Sequence, residues 1–281
     1  MQFWEEAGKE LIHKSEESEK FFTKVGSEKF AKYKAHKRLG YVFEDNDKLI
    51  LKHYEGKTEL NILEIGSFLG QGSKFFIKVF ENSGFKPHVD SVDLMLPYLE
   101  EGSDVDYSSQ GFYLLKNTQQ ERKQHKLVLH SGRSRDILPH LSKTFDFAYV
   151  DGEHTPGGVY LDLVLTLGKS RKGTLILVDD MTWYDLKSVA KGVETFMSVY
   201  KGNIAKSYAH GEHEKKFGFH EIDSVKELKK VKTDQILFEV LEPVERSLEQ
   251  VLEEIKKHRL HLNTEFNAGR RGKTLKLKRS R

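Results

Sequence analysis

From Glu59 to about Asp223 the chain alternates short apolar runs with longer amphipathic stretches. Runs of four to six residues rich in Val, Ile, Leu and Phe, bounded by polar residues, read as buried parallel strands. The pattern predicts strands at Leu60–Ile65, Val89–Leu94, Leu127–His130, Phe145–Val150 and Thr174–Val178. Helices are predicted between them at Gln71–Asn82, Ser108–His125, Ser134–Leu141, Gly158–Leu167 and Asp185–Tyr200. Such alternation implies an α/β fold, a Rossmann-like doubly wound sheet with right-handed crossovers. Ile204–Ala209 and Phe217–Ile222 flank a His/Glu/Lys/Gly turn, which predicts a C-terminal antiparallel hairpin on a mostly parallel sheet. Lys226 to about His258 reads as helical, interrupted by Pro243. Residues 1 to about 57 are polar with a sparse apolar stripe (Phe21, Phe22, Val25, Phe30, Tyr33) and also read as helical. The expected plan is a helical cap over 1–58, the sheet domain over 59–223, a helical extension over 224–267 and a basic, disordered tail over 268–281.

Composition changes this picture little. The 281 residues suffice for one large domain with appendages. A membrane span needs roughly 18 consecutive apolar residues, and no run approaches that. Met1–Lys20 shows no apolar core of a signal peptide, so a cytoplasmic location is expected. Zero cysteines removes disulfides, thiolate metal sites and cysteine nucleophiles. A net charge of +3 does not by itself argue for nucleic acid.

Chemistry concentrates where apolar runs stop. Phe145–Val150 runs into Asp151-Gly-Glu-His154, and Leu175–Val178 runs into Asp179-Asp180. Ligand sites of open α/β sheets lie beyond the carboxyl ends of the strands. Asp151, Asp179 and Asp180 are therefore expected to converge with His154 beside them, three oxygen donors for a hard divalent cation next to a titratable imidazole. A hydroxyl bound to such a cation loses its proton more easily, and a histidine can accept that proton near neutral pH. The blander account is an ordinary strand-end Asp-Gly turn with Asp179–Asp180 capping the next segment; a structural calcium site is a further alternative.

The first strand leads into Glu64-Ile-Gly-Ser-Phe-Leu-Gly-Gln-Gly-Ser73. Gly66 and Gly70 mark a sharp turn from strand to helix where a ligand approaches the backbone. The spacing is looser than the G-x-G-x-x-G that cradles a pyrophosphate. With Glu64 ahead of it, it suits a cofactor carrying an amino acid group, whose ammonium Glu64 attracts. Asp93, closing the second strand, stands where an acid binds ribose hydroxyls. The third strand exits through Ser131-Gly-Arg-Ser-Arg-Asp136, in which Ser134 reads as a helix N-cap.

Together these stretches resemble the class I S-adenosylmethionine-dependent methyltransferases, and among them the metal-dependent small-molecule O-methyltransferases of the catechol and macrolide-sugar types. The resemblance covers roughly residues 59–223 and rests on Glu64–Ser73, Asp93, Gly132–Leu141, Asp151–His154 and Asp179–Asp180. It implies S-adenosyl-L-methionine held by Glu64, Gly66, Ser67, Gly70, Ser73, Asp93, Ser134, Arg135 and Asp151. It also implies Mg²⁺, or another divalent cation, on Asp151, Asp179 and Asp180, with His154 as general base. The implied partner is a small hydroxylated acceptor: a sugar, a phenol or a glycosylated natural product. Trp183 and Tyr184 are candidate walls of the acceptor pocket, and the C-terminal helical stretch a candidate dimer element. A metal-independent methyltransferase of RNA or protein, docked through the basic tail, is the alternative; a non-catalytic cofactor-binding module is another. The tail and the Lys29–Arg38 segment otherwise read as solvated, so neither nucleic acid nor membrane is an expected partner. His210, His213 and His220 match no zinc spacing and read as exposed hairpin residues.

Overall fold

In the computed structural model of the protein, residues 47–95, 110–181, 188–213 and 216–262 are described. The sequence readings for residues 1–46, Trp183, Tyr184 and the basic tail lie outside them.

One eight-stranded sheet organises the chain, in the order β3-β2-β1-β4-β5-β8-β6-β7. Five strands pair parallel: β1 (Glu59–Ile65), β2 (Lys86–Asp93), β3 (Leu127–Ser131), β4 (Phe145–Val150) and β5 (Ser170–Val178). The remaining three, β6 (Ile204–His213), β7 (Lys216–Glu221) and β8 (Lys232–Val240), pair antiparallel. The expected α/β, mostly parallel sheet with antiparallel C-terminal strands is thus what the chain forms.

Side chains alternate across the strands and divide the core in two. Leu63, Ile65, Val150, Val178, Ile236 and Phe238 face one layer. There, α6 (Pro156–Gly168) is buried almost all round, because α7 (Ser188–Val199) and α9 (Leu248–Lys257) pack outside it. Ile62, Phe147, Tyr149, Leu177 and Leu237 face the other layer, against α1 (Asp47–His53) and α2 (Gln71–Asn82). No helix among the described residues is long and apolar enough to cross a membrane.

The structure corrects several readings. Lys226–His258 is not a continuous helical stretch: a short α8 (Val225–Leu228) precedes β8, and only Leu248–Lys257 is a long helix, opened by a Ser247/Gln250 capping box. The sheet therefore extends past residue 223. β8, not an arm of the hairpin, is the strand inserted antiparallel beside β5, and β7 lies at the edge. Ile236–Phe238 is buried on both faces, and a short apolar run of that kind has no periodicity separating strand from helix. The helix expected over Ser108–His125 is two, α3 (Gln110–Asn117) and α4 (Gln119–Lys123), parted at Thr118, whose hydroxyl back-bonds to Leu114 O at 2.7 Å. The N-cap of α5 (Ser134–Ile137) is Arg133 rather than Ser134. His210 is not exposed; only 2% of it is accessible, and His220 is half-buried.

Candidate active site

Parallel pairing brings the carboxyl ends of β1, β2, β4 and β5 to one edge, and the turns leaving them build the site. Gly66 has φ +93°, a left-handed conformation that favours glycine. A Cβ there would collide with the carbonyl oxygen of Asp151. The two strand exits are thus in contact, joined by Asp151 N–H to Ile65 O, while Gly66 N–H to Val92 O ties the turn to β2, each 2.9 Å. Gly70 has φ +80° and caps α2, and its missing Cβ makes room for Thr118 and Leu114. Packing against α3 and α4 is therefore a sufficient account of that glycine.

Beneath the turn, Glu64 is fully buried. Ser73 and Ser91 donate hydroxyls to its Oε2, and Ser67 shares a hydroxyl contact with Ser91. Its Oε1 is buried with no partner. Burial raises the Glu64 pKa to about 7, against the two serine bonds that lower it. Ser67 and Ser73 serve this inner network. Asp93 lies at the end of β2 and accepts Phe68 N–H on Oδ2 (2.9 Å), and Met95 N–H (2.8 Å) and the Gln110 amide (3.3 Å) on Oδ1. A carboxylate offers about four acceptor positions, so these contacts leave about one for a ligand.

The β4 and β5 exits hold the acids. Asp179 is buried, 6% accessible; it accepts the Tyr149 hydroxyl at 2.5 Å and the Asp180 N–H at 2.7 Å. Tyr149 also reaches Asp151 Oδ2 at 3.3 Å. His154 Nε2 stands between two carboxylates, 3.5 Å from Asp151 Oδ1 and 3.3 Å from Asp180 Oδ2. Asp151, His154 and Asp180 each offer one ligand atom, all within 4.8 Å of one another. Asp179 belongs to the same hydrogen-bonded edge but not to this trio. Asp180 has φ +59°, and Phe68 (+48°) and Met95 (+51°) share the left-handed conformation, so three non-glycine outliers sit at the β1, β2 and β5 exits. Such outliers gather at functional sites.

The electrostatics follow from crowding. Burial, then the charges of Asp151 and Asp180, raise Asp179 to about 7. Burial and Asp180 raise Asp151 as well. Burial alone would depress His154, but bonds and charges from Asp151 and Asp180 outweigh it and raise the imidazole to about 10. Burial and mutual repulsion thus oppose full ionisation of the acids at this edge, while their proximity favours the charged form of His154.

Ser134 and Arg135 follow the β3 exit, and Ser134 is tied to the acidic turn through Asp162, whose carboxylate lies against Gly152. Ser134 donates to Asp162 on α6, a buried acid raised to about 7 chiefly by desolvation. Arg135 lines a separate groove of about 540 Å³ with Lys169 and Arg246. Sequence reasoning missed Tyr149, Asp162 and Gln110. Tyr149 had a signal, being two positions before Asp151 and so on the same strand face. Asp162 and Gln110 had none, because their partners are distant in sequence.

The sheet order, the glycine turn after β1, the acid closing β2 and the acids beyond β4 and β5 are the features on which the resemblance to class I S-adenosylmethionine-dependent methyltransferases rests. The family model described as "Methyltransferase domain" matches residues 63–181, from within β1 to just past Asp180. No curated protein matches the chain. Similar solved structures include the O-methyltransferase TomG from Streptomyces achromogenes, at 21% identity over 64% of this chain and 73% of that one, TM-score 0.43. A putative O-methyltransferase from Klebsiella pneumoniae has 17% identity over 69% and 77%, TM-score 0.45. An O-methyltransferase from Bacillus cereus has 17% identity over 71% and 80%, TM-score 0.46.

Proposed function

We propose that the protein is a divalent-cation-dependent O-methyltransferase acting on a hydroxyl of a small molecule: a sugar, a phenol or a glycosylated natural product. The observation that carries this reading is the convergence of Asp151, His154 and Asp180 directly beside the Gly66 turn. The residues fit the groups the chemistry needs. Glu64 Oε1, buried and unpartnered beneath the turn, suits a cationic amino group. The carboxylates of Asp151 and Asp180 suit a hard divalent ion such as Mg²⁺. Bound there, the cofactor supplies a methyl group on a sulfonium and the ion acidifies a hydroxyl.

The chain's own work is positioning and proton handling. Gly66 lets the two strand exits touch, so an acceptor at the acids lies next to the cofactor seat. Tyr149 holds Asp179 in place and steadies Asp151. His154 is the group placed to take the hydroxyl proton on Nε2, provided a cation neutralises the two carboxylates that keep it protonated. Its distances to both carboxylates also suit it to be a ligand. Orientation and exclusion of water would supply much of the acceleration.

Chelation followed by added Mg²⁺ or Mn²⁺, with methyl transfer scored on catechol and on a methyl hexoside, tests the reading. Activity should vanish and return; activity indifferent to chelation would overturn metal dependence. His154→Ala should lower turnover by about 10²–10⁴ with S-adenosylmethionine affinity within a few-fold. Unchanged Mn²⁺ affinity in that variant marks His154 as the base, whereas a loss matching that of Asp180→Asn marks it as a ligand.

A further inference from the structure

Beyond Asp179 the same face of the sheet carries a second set of polar side chains. The last β5/β8 pairs are Leu177↔Leu237 and Val178↔Ile236. Continuing that register places Gln235 opposite Asp179; past the strand end Met181 N–H bonds Asp234 O at 2.9 Å, one residue out of that register. Leu177, Leu237 and Tyr149 belong to one core layer, so alternation puts Asp151, Asp179 and Gln235 on that layer's face. His210 pairs with Gln235 across β8/β6, and Phe219 with His210 across β6/β7. The His210 ring meets Phe219 edge-on at 5.0 Å, and Phe219 meets Tyr208 at 6.3 Å.

Gln235 is 1% accessible, yet neither its amide nitrogen nor its oxygen has a hydrogen-bond partner. An amide is two donors and an acceptor, and burying it unpaired is costly. A leucine of similar size at this position would carry no such cost. The unmet bonds therefore point to a ligand.

We propose that Gln235 recognises the methyl acceptor, hydrogen-bonding a second polar group on the ring that carries the reacting hydroxyl. The inference rests on the O-methyltransfer reading, which places that hydroxyl at Asp151 and Asp180. Adjacent strands lie about 4.8 Å apart, a distance comparable to that between two substituents of one six-membered ring. Phe219, next along the row, and Tyr208, paired with Leu237 one step deeper, offer an apolar floor for the body of the molecule. The acceptor class is a flat or ring-shaped polyol or polyphenol, not a mono-hydroxylated ring.

Resorcinol and phenol separate the idea from metal chelation, since meta hydroxyls cannot chelate one ion. Binding of each is measured calorimetrically to full-length protein saturated with S-adenosylhomocysteine. Wild type should prefer resorcinol by about 10-fold or more, and Gln235→Leu should reduce that preference to near unity with S-adenosylhomocysteine affinity within about 2-fold. Gln235→Asn, which keeps the amide but withdraws it, should fall between and covers the case where the leucine variant does not fold. A preference retained in both variants, no preference in wild type, no binding of either probe, or a parallel loss of S-adenosylhomocysteine affinity would overturn the assignment. Wild type that shows the Gln235-dependent preference yet methylates no hydroxyl would instead overturn the O-methyltransfer reading alone.

Discussion

Tyr149 shows how one hydroxyl organises several charges. It donates to Asp179 at 2.5 Å and reaches Asp151 at 3.3 Å, and burial followed by the surrounding acids holds its own pKa well above the ordinary value. It stays a donor at any working pH. Tyr149→Phe would leave a buried Asp179 oxygen without that bond. On the cation-binding reading proposed above, Tyr149 orients the ligands, and such groups typically matter 10–100-fold, so Mn²⁺ affinity should fall by about that factor while S-adenosylmethionine affinity holds within a few-fold. Titration of Mn²⁺ followed by electron paramagnetic resonance measures this, and unchanged affinity would confine Tyr149 to packing. In the sequence the aspartates were legible because they interrupt apolar runs. Tyr149 was legible in position, two residues before Asp151, but not in role, because an aromatic inside a buried strand looks like core until its hydroxyl is seen to have partners.

At the scale of elements, the parallel half of the sheet was legible because each strand is an apolar run closed by a turn, and Gln71–Asn82 forms over the range its periodicity predicts. What eluded the sequence was β8. Its flanks are rich in Lys and Glu, and its strand conformation comes from β5 and β6, which no local pattern records. Leu237, fully buried where β8 meets β5, reports on that pairing. Leu237→Ala should destabilise the protein by about 2–5 kcal/mol, read from the denaturant midpoint at constant slope. A loss under about 1 kcal/mol would mean that β8 contributes little to the core. Gln235 sits two residues earlier on the same strand face, so the element that completes the core also carries the proposed acceptor contact.

For the whole molecule, acids buried with raised pKa set the response to pH. Glu64, Asp162 and Asp179 each titrate at about 7 in the fold. In the unfolded chain such groups titrate near 4, so between about pH 4 and 7 the folded state holds more protons. Stability then falls as pH rises, by up to about 1.4 kcal/mol per pH unit per group. His154 acts in the same direction: its pairing stabilises fully below about 6.5 and is lost as pH climbs through about 10. Asp146 opposes them on the acid side. Burial works against its charge, but Arg171, Lys57 and the Asn61 N–H hold its pKa below the usual value. The ligand-free protein should therefore melt highest at weakly acidic pH and steadily lower towards pH 9. Saturating Mn²⁺ should flatten the part due to the acid edge, in wild type but not in Asp180→Asn. A melting temperature that rises from pH 6 to 9 would contradict these burial assignments.

Because β5 lacks its outer neighbour until residues 232–240 have been synthesised, a nascent chain cannot finish its central layer early. Cleavage or premature termination anywhere before Lys232 would strand β6 and β7 as a detached hairpin and leave the rim of β5 as an open adhesive seam.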